Sequence, residues 1–170
     1  MGLSLHIEEY LSNKHWRKRR ECIKGYLAGF IDGEGCISST KHKFIGNNNK
    51  RYCYYKPCIR IANTHKDTMI IIGKILDKLG VSWTWYEQNR NRWNSIYYIS
   101  IRKKNSIILL LSEILPYLIT KNEQARIMLE LLKIGSHINN NTDKLAKELS
   151  YLNTKGKFWR KSEKWMTVIT

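Results

Sequence analysis

The segment that decides the fold is residues 27–35, which read Leu-Ala-Gly-Phe-Ile-Asp-Gly-Glu-Gly. Apolar side chains recur at helical spacing through it and just before it, at Ile23, Leu27, Phe30 and Ile31. This spacing predicts a helix over residues 22–33. Glu34 then stands at the C-terminal end of that helix, where the helix dipole disfavours a negative charge. A functional role for the Glu34 carboxylate is therefore favoured over a purely structural one.

The glycines of this helix recur every four residues, at Gly25, Gly29 and Gly33. Glycine inside a helix costs about 1 kcal/mol relative to alanine, so several glycines on one face require a compensating contact. The close approach of another helix backbone provides such a contact, as in small-xxx-small helix pairs. The glycine spacing therefore predicts a helix–helix contact on this face.

The charge balance points to a polyanionic partner. The chain has 170 residues, with 30 Lys and Arg against 14 Asp and Glu, and a formal net charge of +16. Such an excess favours nucleic acid as the partner, and we interpret the basic segment 14–24 as a phosphate-contacting arm. A hydrophobic content of 42% excludes disorder for most of the chain. No apolar run approaches the roughly 18 residues of a membrane span.

Cysteine usage and the N-terminal sequence bear on the compartment. Cys22, Cys36, Cys53 and Cys58 form no CxxC pair and fit no zinc-binding spacing, so we expect reduced thiols. The first 24 residues lack the apolar stretch of a secretory signal. We therefore expect an intracellular protein. The abundance of Ile, Lys and Asn is compatible with an AT-rich genome such as that of an organelle or phage, so the expected compartments are a chloroplast, a mitochondrion, or a phage or bacterial cytoplasm.

Downstream of the first helix, the sequence alternates hairpins with helices. The predicted strands are 36–44, 52–62, 81–88 and 93–102, and the predicted helices run from Thr64 to Gly80 and over 106–115, 121–134 and 142–150. The second strand alternates apolar and polar residues with period two, which is typical of a sheet with one covered face. We predict an α+β fold, a mixed αββαββα domain with a curved four-stranded antiparallel sheet. Its helices cover one face, and the other is a DNA-binding saddle.

Three regions are predicted along the chain. They are a basic N-terminal extension at 1–21, the main domain at 22–135, and a helical, basic C-terminal tail at 136–170.

Residues 27–35 closely resemble the motif that names the LAGLIDADG homing endonucleases, with substitutions at Phe30, Gly33 and Glu34. Residues 116–125, Pro-Tyr-Leu-Ile-Thr-Lys-Asn-Glu-Gln-Ala, are similar to a second segment of that family. Family members with a single motif work as homodimers. The resemblance therefore implies an intron-encoded homodimeric endonuclease that cuts a long pseudo-palindromic site in double-stranded DNA with Mg²⁺ or another divalent cation such as Mn²⁺. It implies no membrane partner and no small-molecule cofactor.

The resemblance also implies which residues perform the chemistry. Glu34 matches the acidic metal ligand, and the backbone carbonyl of Gly33 is a second metal ligand. Lys121 matches the lysine at the scissile phosphate, where it polarises water or stabilises the transition state. Asn63 occupies the position of a polar catalytic-pocket residue, with His65 as a nearby alternative.

Recognition and assembly are assigned to further residues. The residues expected to contact DNA are Ser38, Thr40, His42, Tyr54, Lys56, Arg60, Trp83, Trp85, Glu87, Tyr98, Ser100 and Arg102. The residues expected at the dimer interface are Gly25, Ala28, Gly29 and Asp32, of which Asp32 is more structural than catalytic. Two alternatives stay open, an intron RNA maturase and a non-catalytic DNA-binding protein on the same fold. The presence of Glu34 and Lys121 favours the nuclease.

Overall fold

The structure is a computed structural model that describes residues 13–46, 49–90, 93–135 and 137–158. In these ranges the elements are α1 (Asn13–Glu34), β1 (Gly35–Ile45), β2 (Arg51–Asn63), α2 (Lys66–Lys78), β3 (Thr84–Arg90), β4 (Trp93–Ile101), α3 (Lys104–Ile114), a 3-10 turn (Leu115–Tyr117), α4 (Asn122–Ile134) and α5 (Asn140–Phe158). The predicted α+β class and the order of helix, hairpin, helix, hairpin and helices are confirmed.

The four strands form one antiparallel sheet in the order β1-β2-β4-β3. In the centre of this sheet, Ile59 of β2 lies opposite Ile37 on one side and Ile101 on the other. All three side chains are fully buried. Because successive residues of a strand point to opposite faces, this row identifies the face of the sheet that the helices cover.

The period-two pattern predicted for β2 is confirmed. Tyr55, Ile59 and Ile61 are buried, whereas Lys56 and Arg60 between them are exposed. The helices complete the core with a set of fully buried apolar residues, among them Leu27, Ile31, Met69, Ile72, Leu76, Ile107, Leu110, Met128 and Leu131. The sheet is therefore covered on one face only.

Helix α1 is longer than predicted, since it begins at Asn13 rather than at residue 22. Part of the basic extension predicted over 1–21 therefore forms the first turns of the motif helix, and residues 1–12 lie outside the described residues. Ion pairs hold the middle of the helix against α3: Arg20 and Lys24 each lie 2.9 Å from a carboxylate oxygen of Glu113. These two basic side chains therefore form ion pairs within their own chain.

Helix α5 also exceeds the range 142–150 predicted for it. It contributes Leu145, Ala146 and Leu149 to the core, and Nδ2 of Asn153 donates to the carbonyl oxygen of Ile37 at 2.8 Å. Because β1 is an edge strand, this hydrogen bond caps part of an open sheet edge. The described part of the predicted tail is thus integral to the fold, whereas residues 159–170 lie outside the described residues.

Helix α2 is capped by His65 and not by Thr64, since Nδ1 of His65 accepts a hydrogen bond from the backbone N–H of Thr68 at 3.2 Å. Within the described residues, no helix is long and apolar enough to cross a membrane. All four cysteines are free thiols.

Candidate functional site

The carboxylate of Asp32, in the last turn of α1, binds the loop that precedes α4. Oδ2 accepts the backbone N–H of Ile119 at 2.7 Å, and Oδ1 accepts the backbone N–H of Lys121 at 2.9 Å. Burial on its own would raise the pKa of Asp32, but these backbone hydrogen bonds outweigh it and hold the pKa below its ordinary value. Asp32 is thus an ionised structural anchor within its own chain.

Lys121 is anchored at the same place by its side chain. Its Nζ donates to the backbone carbonyl of Asp32, and the residue is half-buried. The structure therefore brings Lys121 to the end of the helix that terminates at Glu34. This proximity joins residues that are far apart in sequence, and it places a positive charge at the helix end, where the dipole favours one.

Glu34 is the last residue of α1 and is exposed. Its carboxylate makes no hydrogen bond or ion pair with any residue that the structure describes. Gly35 follows it at a tight junction, because a Cβ at residue 35 would lie 2.6 Å from the carbonyl oxygen of Ile31. The chain thus turns directly from helix into strand and leaves the Glu34 carboxylate facing solvent.

Asn63 ends β2 close to the start of β1. Gly35 lies opposite Ile61 in the sheet, so Asn63 stands two residues beyond this pair, on the side from which α1 arrives. Its Oδ1 accepts the backbone N–H of His65 at 2.8 Å. Because Nδ1 of His65 serves as the helix cap, the neutral imidazole carries its proton on Nε2. Because its ring caps α2, His65 is a weaker alternative to Asn63 for the catalytic-pocket position.

The residues at this helix end offer only a few candidate metal ligands. Among the described residues, no three His, Cys, Asp or Glu side chains cluster as ligands would. One chain offers the Glu34 carboxylate and the Gly33 carbonyl, both hard oxygen donors. Mg²⁺ prefers such donors and keeps several of its water ligands, so the donor set fits Mg²⁺ held by few protein ligands.

Strand register defines the open face of the sheet, the face away from the helices. Its described members on β1 and β2 are Cys36, Ser38, Thr40, His42, Phe44, Tyr52, Tyr54, Lys56, Cys58, Arg60 and Ala62, and those on β3 and β4 are Thr84, Tyr86, Gln88, Ile96, Tyr98 and Ser100. Eight of the predicted DNA contacts lie on it: Ser38, Thr40, His42, Tyr54, Lys56, Arg60, Tyr98 and Ser100. Ser100 is buried in the centre of the sheet.

The predicted contacts on β3 lie on the wrong face, and this corrects the sequence analysis. Trp85 is opposite Ile99, which is fully buried beneath the helices, and Glu87 is opposite Tyr97 on the same side. Trp83 precedes the strand and its Nε1 donates to Asp77 at 2.8 Å. Their places on the open face are taken by Thr84, Tyr86 and Gln88.

Arg102, the last of the predicted contacts, is exposed but follows the final residue of β4. It belongs to the short segment between β4 and α3. Phe44 and Tyr52 are among the other members of the open face that sequence reasoning missed. A signal for Phe44 was present, since it continues the two-residue spacing of Ser38, Thr40 and His42.

The predicted dimer residues divide between two sides of α1. Ala28 is fully buried in its own chain, and a Cβ at Gly25 would lie 3.9 Å from the ring of Tyr117. These two residues therefore face the interior of their own chain, and Asp32 is committed to the loop before α4. Gly29 and Gly33, in contrast, are exposed, and no atom of the described residues lies within 4 Å of a Cβ added at either position.

Comparison with known proteins places these features in a family. The sequence model of the LAGLIDADG-like domain matches residues 21–115. No curated protein sequence matches the chain. Among solved structures, the archaeal intron-encoded homing endonuclease I-Vdi141I, complexed with DNA, is similar with a TM-score of 0.59 and 21% identity, over 81% of this chain and 87% of its own.

Two further structures are similar. The homing endonuclease I-CvuI, in complex with its target, has a TM-score of 0.56 and 22% identity, over 78% of this chain and 82% of its own. The LAGLIDADG homing endonuclease I-LtrWI, bound to target DNA, has a TM-score of 0.57 and 18% identity, and the match covers 81% of this chain but only 49% of that one. At these identities the likeness establishes the fold.

Proposed function

This chain belongs to the LAGLIDADG family, and on that basis we propose that it is a site-specific homing endonuclease that hydrolyses both strands of double-stranded DNA with a divalent cation. The observation that carries the proposal is the end of α1. There, the exposed Glu34 carboxylate has no partner among the described residues, and Lys121 is anchored close by. A protein that only binds nucleic acid has no need of an unpaired carboxylate on a phosphate-facing surface, since it would repel phosphate.

The residues at this site have distinct roles in the proposed reaction. Glu34 and the Gly33 carbonyl would hold Mg²⁺ or another divalent cation, which when bound supplies charge stabilisation and an activated water. Lys121 carries a positive charge that stabilises the charge developing on the scissile phosphate. Asn63 orients water beside it through its amide. Asp32 touches no reacting atom and positions Lys121.

Assembly as a homodimer is part of the proposal. Within the part of the chain that the structure describes, neither packing nor backbone conformation accounts for Gly29 and Gly33, because an added Cβ would meet no atom within 4 Å and neither glycine has a positive φ. Tyr26 on the same helix is 49% exposed, and its ring centroid lies 6.1 Å from that of Phe30. A second copy of α1 crossing at these glycines supplies the missing contact and brings two Glu34 residues near one axis. Such symmetry fits a pseudo-palindromic target.

The open face is the proposed DNA surface. An antiparallel sheet with one free face fits the major groove, and I-Vdi141I and I-CvuI, of the same fold, are both described in complexes with DNA. The match also covers only about half of the I-LtrWI chain, so two copies of this chain would provide an equivalent length of protein.

Selection of cleaved sites from a randomised duplex library, with Mg²⁺ and with EDTA, tests the proposal. We expect a long pseudo-palindromic consensus with Mg²⁺ and no products with EDTA. Binding of intron RNA without cleavage of any DNA would favour the maturase, and sequence-specific binding without cleavage would favour the non-catalytic DNA-binding protein.

A further inference from the structure

Four aromatic rings occupy the end of the open face that is farthest from α1. This aromatic cluster consists of His42 and Phe44 on β1 and Tyr52 and Tyr54 on β2. The ring centroids of Phe44 and Tyr52 are 5.1 Å apart with the planes 18° from parallel, and those of His42 and Tyr54 are 5.8 Å apart. Phe44 also meets Tyr54 edge-on at 5.8 Å. The rings therefore form one continuous aromatic surface near the β1–β2 connection.

The cluster remains accessible although its rings contact one another. Phe44 is 49% exposed and Tyr52 is 41% exposed. Cross-strand ring pairs stabilise a hairpin, but that stabilisation does not require a phenylalanine to leave half its surface in water. An exposed apolar patch of this kind, continuous with a binding face, is typical of a contact surface.

Charge on the open face is concentrated away from the cluster. The described open-face strand residues include no acid, and their Lys and Arg residues, Lys56 and Arg60, lie on the side of Tyr54 that is nearer α1. Within this face, the cluster end therefore offers rings rather than cations to a bound duplex. The matching group in the major groove is the C5-methyl of thymine, the apolar feature of a base edge that contacts phenylalanine.

We propose that the aromatic cluster reads thymine methyl groups at the outer ends of the DNA target. This inference rests on the proposed function. Phe44 is the last residue but one of the 11-residue strand β1, so at ~3.3 Å per residue it lies roughly 30 Å from Gly35 at the candidate cleavage site. At ~3.4 Å per base pair, that distance corresponds to about nine base pairs. The thymines are therefore expected about eight to ten base pairs from each cut.

The test replaces thymine with uracil, which removes only the methyl group from the base. With a target obtained by site selection, deoxyuridine is placed either at the outer thymines or at thymines near the cuts, and duplex affinity is measured without cleavage. We expect about a fourfold loss of affinity per outer methyl, the worth of one buried apolar carbon. Deoxyuridine near the cuts should cause no loss attributable to this cluster.

Variants assign the effect to the rings. Phe44→Ala combined with Tyr52→Ala should bind thymine and uracil targets equally at the outer positions. Tyr86→Ala removes a 62% exposed ring from another strand of the same face and should keep the full outer uracil effect. Because the wild-type uracil measurement needs no variant, the inference is tested even if the double variant does not fold.

Each failure is distinguishable. If the protein binds and cleaves a selected duplex that has no outer thymines, or if outer uracil changes nothing, this inference is overturned while the endonuclease remains. If no duplex is bound or cut, the proposed function fails and the inference falls with it. Preferential binding of single-stranded RNA through Phe44 and Tyr52 would also overturn the inference, since stacking on unpaired bases would then explain the rings.

Discussion

Asp32 binds both the backbone amide and the side-chain ammonium of Lys121. The backbone N–H of Lys121 donates to the Asp32 carboxylate at 2.9 Å, and Nζ of Lys121 donates to the Asp32 carbonyl. The candidate catalytic lysine is therefore positioned by the motif helix itself, two residues before the candidate metal ligand Glu34. A displacement of the loop before α4 would move Lys121 relative to Glu34.

Asp32→Asn should slow DNA cleavage without weakening DNA binding. An amide keeps one acceptor oxygen, so one of the two backbone donors, Ile119 or Lys121, loses its partner at a cost of about 1 kcal/mol. We expect at least a tenfold drop in single-turnover cleavage, with affinity for the uncut duplex changed less than twofold. Glu123→Gln, an exposed acid in the first turn of α4, is the matched control and should be silent. Wild-type cleavage by Asp32→Asn would contradict the positioning role.

Glu34→Gln should abolish cleavage and preserve or strengthen DNA binding. The substitution removes a metal ligand and also removes a negative charge from the phosphate-facing end of α1. Plasmid cleavage and duplex affinity, each measured with Mg²⁺, check the two halves of this prediction. Glu87→Gln changes an exposed acid on the helix side of β3 and should cleave normally. A Glu34→Gln protein that nicks plasmid at nearly the wild-type rate would remove Glu34 from the site.

The sequence predicted the outward-facing residues of β2 correctly and those of β3 incorrectly for one physical reason. In β2, buried Ile59 and Ile61 alternate with exposed Lys56 and Arg60, so burial imposes a visible period. Every residue of β3 is exposed, because it is an edge strand whose inner positions carry Trp85 and Glu87 rather than aliphatic residues. With no buried residue to mark one face, the sequence does not reveal the register.

The anchor of Lys121 could not be predicted for a different reason. The partners of Asp32 lie 87 and 89 residues away in sequence, and no local pattern pairs them. Family resemblance identified Lys121 itself but not what holds it. The hydrogen bond from Asn153 to the edge strand β1 joins residues that are 116 apart in sequence. No local pattern predicts it either, and the sequence analysis therefore placed α5 in a tail.

Tyr55 should be among the last tyrosines to ionise. Burial raises its pKa to about 12, with a further contribution from its hydrogen bond to Asp143 at 2.5 Å. An unfolded tyrosine has a pKa of about 10, so the stability that Tyr55 contributes is complete below pH ~10 and is lost as the pH rises through 12. The difference in unfolding free energy between wild type and Tyr55→Phe should be constant from neutral pH to about pH 9 and shrink above pH 10.

Urea denaturation at several pH values measures that difference. Tyrosinate absorbance provides an independent check, because Tyr55→Phe should lose a late phase that Tyr86→Phe keeps. A constant difference up to pH 11.5 would show that the Tyr55–Asp143 hydrogen bond does not shift ionisation in the folded protein.

Gly29→Ala distinguishes a monomer from a homodimer by the sign of its effect. In a monomer the new Cβ meets no atom of the described chain within 4 Å, so replacing a helical glycine should stabilise the fold by about 1 kcal/mol. In a dimer that crosses at Gly29, the methyl group separates the two helices, and Gly29→Leu separates them further at a cost of at least about 1–3 kcal/mol. We expect wild type to sediment as a dimer at micromolar concentration without DNA, and both variants to dissociate and lose double-strand cleavage.

Gly25→Ala is the matched control: its Cβ would make an ordinary 3.9 Å contact with Tyr117 of the same chain, so it should stay dimeric and active. A monomeric wild type, or a Gly29→Ala protein that is more stable and fully active, would show that the exposed glycines of α1 do not meet a second copy.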